Sequence, residues 1–204
     1  MVKKNTCVFI SGYGSNLKNL ISCSRDYSFP VKISLVISNN KKAEGINYAK
    51  KYKIPYFFVN TNNKNYENKI LLSLKKYKIS LICLAGYMKI ISGKLIKNYQ
   101  GKIINIHPSL LPKFKGLNTF SRMLKNKEKK GGCTVHFVNE SLDSGSTIIQ
   151  KNFEINNKDN EEILKTKTQK LEYRAFPEAI IKIFRISKFL KKNSISFFAF
   201  SIES

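Results

Sequence analysis

The sequence predicts an α/β protein, with a mostly parallel β-sheet flanked by helices and an antiparallel hairpin in the C-terminal half. Three observations carry this. Short apolar, β-branched runs recur along the 204 residues. Stretches of helical period separate them, and strands alternating with helices of this length form βαβ units. Beyond residue 130 the pattern changes to two strand-like runs across a short polar segment, which suits a hairpin.

Taken in order, Cys7–Ser11 is a short apolar strand that runs into a Gly-rich turn, and Asn16–Ser24 is a helix. Val31–Ser38 (VKISLVIS) is β-branched and partly alternating, hence a strand. Ala43–Tyr52 has helical character, and Pro55–Val59 is a short strand after a proline. Glu67–Tyr77 places Ile70, Leu71 and Leu74 on one helical face. Leu81–Ala85 is a buried strand ending at Gly86, Lys94–Tyr99 a helix, and Ile103–His107 a strand closed by Pro108. Thr134–Val138 alternates and pairs with Thr147–Phe153 across Asn139–Ser146. Residues 160–190 are mostly helical, with a break expected at Pro177. The segments Asn60–Asn68, Lys125–Lys130 and Asn156–Asn160 are solvated loops. The sequence divides into one domain over residues 1–190 and a tail over 191–204, whose ISFFAFSI either adds a strand or packs on a partner. The basic helix from Ile180 to Lys192 is read as packing its apolar face on the sheet rather than on a membrane.

A formal net charge of +24 points first to a polyanion such as nucleic acid. Two counts weaken that reading. Lysine outnumbers arginine 33 to 4, although arginine is the better reader of phosphates and base edges. The excess is also spread, at +6, +9, +5 and +4 over residues 1–50, 51–100, 101–150 and 151–204. With 21 asparagines and many Ile, Phe and Tyr, the composition matches AT-rich codons, and a balanced base composition in the coding DNA would refute that origin. No specific nucleic-acid partner is expected. Lysines interrupt every apolar stretch, so no membrane span is expected, and the N-terminus is too short in apolar residues for a signal peptide. The cysteines at 7, 23, 83 and 133 lie far apart without a Cys-x-x-Cys pair and read as reduced core residues of a cytoplasmic protein.

The unusual residues gather where open α/β sheets place their chemistry, beyond the carboxyl ends of strands. In ISGYGSNL (Ile10–Leu17), Gly12 and Gly14 permit a sharp turn and close approach of a ligand. Ser15 and Asn16 then open a helix whose free N–H groups favour an anion. Leu17 replaces the third glycine of a dinucleotide fingerprint, so a single phosphate fits better. A tight turn with a polar N-cap is an equal reading of this segment alone. In NIHPSLLP (Asn105–Pro112), Asn105 and His107 share one strand face. An amide beside an imidazole can hold a carbonyl oxygen and manage a proton. Asp143, in SLDSG, would fix the tautomer of His107 and raise its pKa, or is simply a turn former. The only other histidine, His136, is on even terms a satisfied core residue. Two histidines without ligand-spaced carboxylates make a poor zinc set, so no metal is expected.

ISGYGSNL, LAGYMKIIS (Leu84–Ser92), NIHPSLLPKFKG (Asn105–Gly116) and GCTVHFVNESLDSG (Gly132–Gly145) occur in this order, and 36 residues separate His107 from Asp143. Over roughly residues 5–180 the chain closely resembles the glycinamide ribonucleotide formyltransferase family, folate-dependent enzymes of purine synthesis. The resemblance implies a Rossmann-like formyltransferase fold and direct formyl transfer from 10-formyltetrahydrofolate to the amine of glycinamide ribonucleotide, without a covalent enzyme intermediate. It implies Asn105, His107 and Asp143 as the catalytic trio. Gly14, Ser15 and Asn16 would bind the substrate phosphate, and Glu172 the ribose. Met88, Lys89, Ile90 and Ile91, with Val138, Asn139, Glu140, Leu142 and Asp143, would hold the folate. His136 becomes a supporting residue beside the site. The expected assembly is a monomer or homodimer. The sequence departs from the family at Lys89, where arginine is common, and at Phe120, where histidine is frequent. The segment Asn39–Ile79 is shortened, and the stretch from Ile186 onward has no clear counterpart.

Related readings fit less well. Methionyl-tRNA formyltransferase carries a further C-terminal domain and lacks the Gly-Ser-Asn turn, and formyltetrahydrofolate deformylase carries an N-terminal regulatory domain. A non-catalytic nucleic-acid binder on the same fold would not need an intact trio.

Overall fold

In a computed structural model, the backbone is described for residues 2–199 and the side chains for residues 2–185. The elements are β1 (Lys4–Ile10), α1 (Ser15–Arg25), β2 (Val31–Ser38), α2 (Ile46–Lys51), β3 (Tyr56–Phe58), α3 (Tyr66–Lys76) and β4 (Leu81–Leu84). They continue with α4 (Gly93–Asn98), β5 (Lys102–His107), α5 (Thr119–Lys125), β6 (Lys130–Phe137), β7 (Thr147–Glu154) and α6 (Glu161–Ala199).

The strands form one sheet in the order β3-β2-β1-β4-β5-β6-β7. The first five are parallel, and β6 and β7 each run antiparallel to their neighbour. The parallel strands are covered on both faces, as βαβ crossovers require. On β1, Cys7 and Phe9 face one core with Leu35, Ile70 and Leu95. Val8 and Ile10 face the other, with Leu17 and Leu20 of α1 and Phe176 and Ile180 of α6. The side-chain period of two thus sends alternate residues of one strand into two cores.

The expected strands and helices are present, several with ends shifted by one to three residues, such as β1, which begins at Lys4, and α2, which begins at Ile46, and three larger differences stand out. The strand β6 begins at Lys130 rather than Thr134. Gly131 and Gly132 within it are glycines because β7 packs against them: a Cβ on Gly132 would lie 2.1 Å from the Lys151 carbonyl oxygen. The seven-residue α5 is too short to show a period, and only Thr119 and Met123 are buried on it. Finally, α6 passes through Pro177 without ending. Proline cannot donate to the carbonyl four residues earlier, that of Tyr173. The Asn19 side chain donates to that carbonyl at 2.8 Å, so the group stays paired.

Ile180 and Ile183 are buried in the core, as expected for the apolar face of this helix. Its later apolar side chains, Phe189 and Leu190, lie outside the described residues. In the C-terminal segment Ile195–Ile202, residues 195–199 continue the helix, and the remainder lies outside the described residues. Among the described residues no helix is long and apolar enough to cross a membrane.

Candidate active site

The strand order reverses direction between β1 and β4, and ligands of open α/β sheets bind at such a switch point. The carboxyl ends of β1, β4 and β5 open there onto one cleft of about 1070 Å³. Every residue singled out from the sequence as a site candidate lines this cleft.

The Gly-rich turn leaves β1 and enters α1. Gly14 has φ +72°, and a Cβ there would lie 2.5 Å from the Cα of Gly45. Only glycine fits, and the first turn of α1 is left facing the cleft with Ser15 and Asn16. Ser11, at the end of β1, ties three segments together. Its hydroxyl donates to Asn39 Oδ1 at 2.6 Å and accepts the Met88 N–H at 2.8 Å. The 88–91 segment is thereby fixed to the ends of β1 and β2. Met88 and Ile90 are exposed on it, whereas Ile91 turns into the core.

Asn105 and His107 end β5, and Asn105 is register partner to His136 on β6. Asp143 lies in the β6–β7 connection with φ 46°, a conformation that side chains other than Gly, Asn and Asp seldom adopt. Its carboxylate is surrounded by donors. Oδ2 accepts the Gly116 N–H at 2.9 Å and faces His107 Nδ1 at 3.3 Å. Oδ1 accepts from Asn105 Nδ2 at 3.4 Å and lies 3.6 Å from His136 Nε2. Burial pushes this carboxyl upward, but the bonds from His136 and Gly116 and the His107 charge outweigh it and hold the pKa at about 2.

His107 faces acceptors on both ring nitrogens, with Nε2 at 2.9 Å from the Phe114 carbonyl oxygen. Only the doubly protonated ring donates to both. Burial nonetheless lowers its pKa, against the pull of Phe114 and Asp143. The proton is thus well placed geometrically but weakly retained, as suits a group that must give it up. His136 Nδ1 lies 2.8 Å from the Phe137 carbonyl oxygen, and its Nε2 lies 3.3 Å from Asn105 Nδ2. Its Nε2 therefore lies within reach of both the Asn105 amide and the Asp143 carboxylate.

Across the cleft, Glu172 of α6 accepts from Asn16 Nδ2 at 2.8 Å. Burial pushes its carboxyl up to about 7, only partly offset by that bond. Val138, Asn139, Glu140 and Leu142 form the rim beside Asp143, and Glu140 pairs with Lys97 at 3.2 Å. Lys89 and Phe120 also line the cleft. The thiols of Cys7, Cys83 and Cys133 are buried away from it, and burial raises the pKa of all three.

The Gly116 N–H, the Phe114 carbonyl and the α6 residues Lys165, Thr168 and Gln169 belong to the site without having been singled out by sequence pattern. The first two are backbone groups without a side-chain signature, and the α6 face is chosen by helix docking.

A sheet of this topology, with Asn105, His107 and Asp143 gathered at its switch point, is of the Rossmann-like class. The formyl transferase family matches residues 4–180, and the chain belongs to it. It is a transferase, and formyl transfer is the family's reaction. The chain is 38% identical over 198 residues to a phosphoribosylglycinamide formyltransferase of Haemophilus influenzae, covering 95% of this chain and 93% of that one. It is 37% identical over 182 residues to the human trifunctional purine biosynthetic protein adenosine-3, covering 87% of this chain but 18% of that protein. The crystal structure of phosphoribosylglycinamide formyltransferase from Brucella melitensis superposes with a TM-score of 0.84 at 37% identity, covering 90% of this chain and 96% of that one.

Proposed function

We propose that this enzyme moves the formyl group of 10-formyltetrahydrofolate directly onto the amine of glycinamide ribonucleotide, in the cytoplasm, using residues 1–190 as one formyltransferase domain. The observation that carries the reading is Asp143, held ionised between His107 and Asn105 at the mouth of the cleft. The substrate amine attacks the formyl carbon, and the carbonyl oxygen gains negative charge. Asn105 and protonated His107 turn towards that oxygen, and Asp143 stabilises the imidazolium. The bond from the formyl carbon to the folate nitrogen then breaks. That nitrogen takes a proton from His107 Nε2, directly or through a water, and the attacking amine gives one up to solvent water, from which His107 is reprotonated. No covalent enzyme intermediate is required, in keeping with thiols buried away from the cleft.

Gly14, Ser15 and Asn16 receive the phosphate at the N-terminus of α1, and Glu172 accepts from the ribose hydroxyls. The 88–91 and 138–143 segments hold the folate, and His136 positions Asn105. The partners are these two small molecules, with no specific nucleic acid and no membrane. Four free thiols agree with a reducing compartment.

The test is formylation of glycinamide ribonucleotide by the purified chain. Wild type should require 10-formyltetrahydrofolate, and His107→Ala should lose about 10²–10⁴-fold in kcat. A folded wild-type protein without this activity refutes the proposal.

A further inference from the structure

We propose that Lys165 is the counter-charge for the phosphate of the ribonucleotide, completing from α6 a subsite that α1 opens from the opposite side. The inference rests on the reading above, in which the phosphate sits at Gly14–Asn16.

A phosphomonoester carries roughly −2 charge at neutral pH. The first turn of α1 offers N–H groups and a partial positive charge, but its turn residues bring no cation. Lys18, one turn on, lies over the Tyr48 ring and does not line the cleft. For all the basicity of the chain, Lys89 and Lys165 are the two lysines or arginines lining the cleft among the described residues, against four carboxylates. Lys89 belongs to the segment assigned to folate. An incoming phosphate therefore depends on Lys165.

The fold puts Lys165 on the correct wall. Lys165, Thr168, Gln169 and Glu172 follow the spacing of a single helical face, and all four line the cleft. Asn16 meets Glu172, and Asn19 meets the Tyr173 carbonyl. The first turns of α1 thus lie against α6 at residues 172–173, and Gln169 and Lys165, about one and two turns earlier on α6, line the same cleft. Two further polar atoms are unpartnered on these facing walls: Asn16 Oδ1 and Thr168 Oγ1 are buried without a hydrogen-bond partner. Lys165 itself is exposed and forms no ion pair among the described residues. Its neighbour Lys167 is engaged with Asp159 at 2.5 Å. The ammonium of Lys165 is therefore available, on a flexible stem suited to meeting a phosphate as a point charge.

The experiment compares glycinamide ribonucleotide with its dephosphorylated ribonucleoside, by kinetics and equilibrium binding, in wild type, Lys165→Met and Lys165→Arg. Lys165→Met should weaken ribonucleotide binding and raise its KM by about 10- to 100-fold, as expected for losing a charge-assisted hydrogen bond. Lys165→Arg should restore most of it. The ribonucleoside should bind wild type and Lys165→Met equally, and the KM for the folate should stay within about twofold. An unchanged ribonucleotide KM overturns the inference. So does an equal loss for ribonucleotide and ribonucleoside, or a rise confined to the folate. Wild type inactive on the ribonucleotide would instead sink the parent reading, which separates the two failures.

Discussion

Replacing Asp143 by asparagine probes the site most sharply, because the carboxylate meets donors on both oxygens. An amide presents one acceptor and one donor. With its nitrogen at the Oδ2 position it opposes the Gly116 N–H at 2.9 Å. Flipped, it opposes Asn105 Nδ2 at 3.4 Å. Either orientation creates a donor–donor contact, at about 1–3 kcal/mol. The catalytic loss is separate. A carboxylate 3.3 Å from the His107 ring stabilises its charge by about 5 kcal/mol at an effective dielectric near 20. The amide dipole and solvent recover part of this. Roughly 3–4 kcal/mol of transition-state stabilisation is then lost, so Asp143→Asn should lower kcat about 10²–10³-fold. Initial rates of formyl transfer with both substrates saturating measure this, alongside a thermal melt. The melting temperature should fall by several degrees, because the ionised carboxylate and the hydrogen bonds it accepts are present at neutral pH. In wild type their contribution disappears as pH falls from the ordinary aspartate range towards about 2. A kcat within threefold of wild type would refute the role given to the carboxylate.

Two other outcomes follow from the same geometry. Ser11→Ala removes the hydroxyl that ties the Met88 N–H to Asn39, so the KM for the folate should rise about 5- to 20-fold with a smaller change in ribonucleotide KM. Ser11→Thr, which keeps the hydroxyl, should restore most of the affinity, and equal effects on both substrates would count against a positioning role. For Glu172, the folded pKa near 7 lies above the ordinary 4.5. The folded state therefore holds a proton that the unfolded state loses, and stability should fall by about 3 kcal/mol as pH rises from 4.5 to 7. His107 opposes this trend because its pKa is lowered. The difference between wild type and Glu172→Gln in urea denaturation at pH 5 and pH 8 isolates the glutamate, and no difference refutes its burial. Ribonucleotide KM should also fall as pH rises through about 7, as the ionised carboxylate becomes available to ribose hydroxyls.

The β-branched runs showed the parallel sheet because its strands are buried on both faces and need little pairing information. The bounds of β2 were legible to the residue, and Asn105 with His107 stood out because polar residues at strand ends are rare in such runs. The partnership of His136 with Asn105 was not legible. It depends on the antiparallel register of β6 against β5, which no local pattern encodes. The high pKa of Glu172 was likewise hidden, since it arises from docking α6 over α1 rather than from neighbours in sequence.

The Pro177 defect has a wider consequence. The carbonyl it releases belongs to Tyr173, next in sequence to Glu172, and Asn19 uses it to fasten α6 to α1. A flaw in one helix has become the joint between two. Substituting alanine for the proline would offer Tyr173 a donor from within its own helix, in competition with Asn19. A more regular α6 would then be a less well-seated one, and the alignment of Glu172 against Asn16 would drift. Efforts to make this enzyme more rugged by perfecting its helices should therefore leave that irregularity alone.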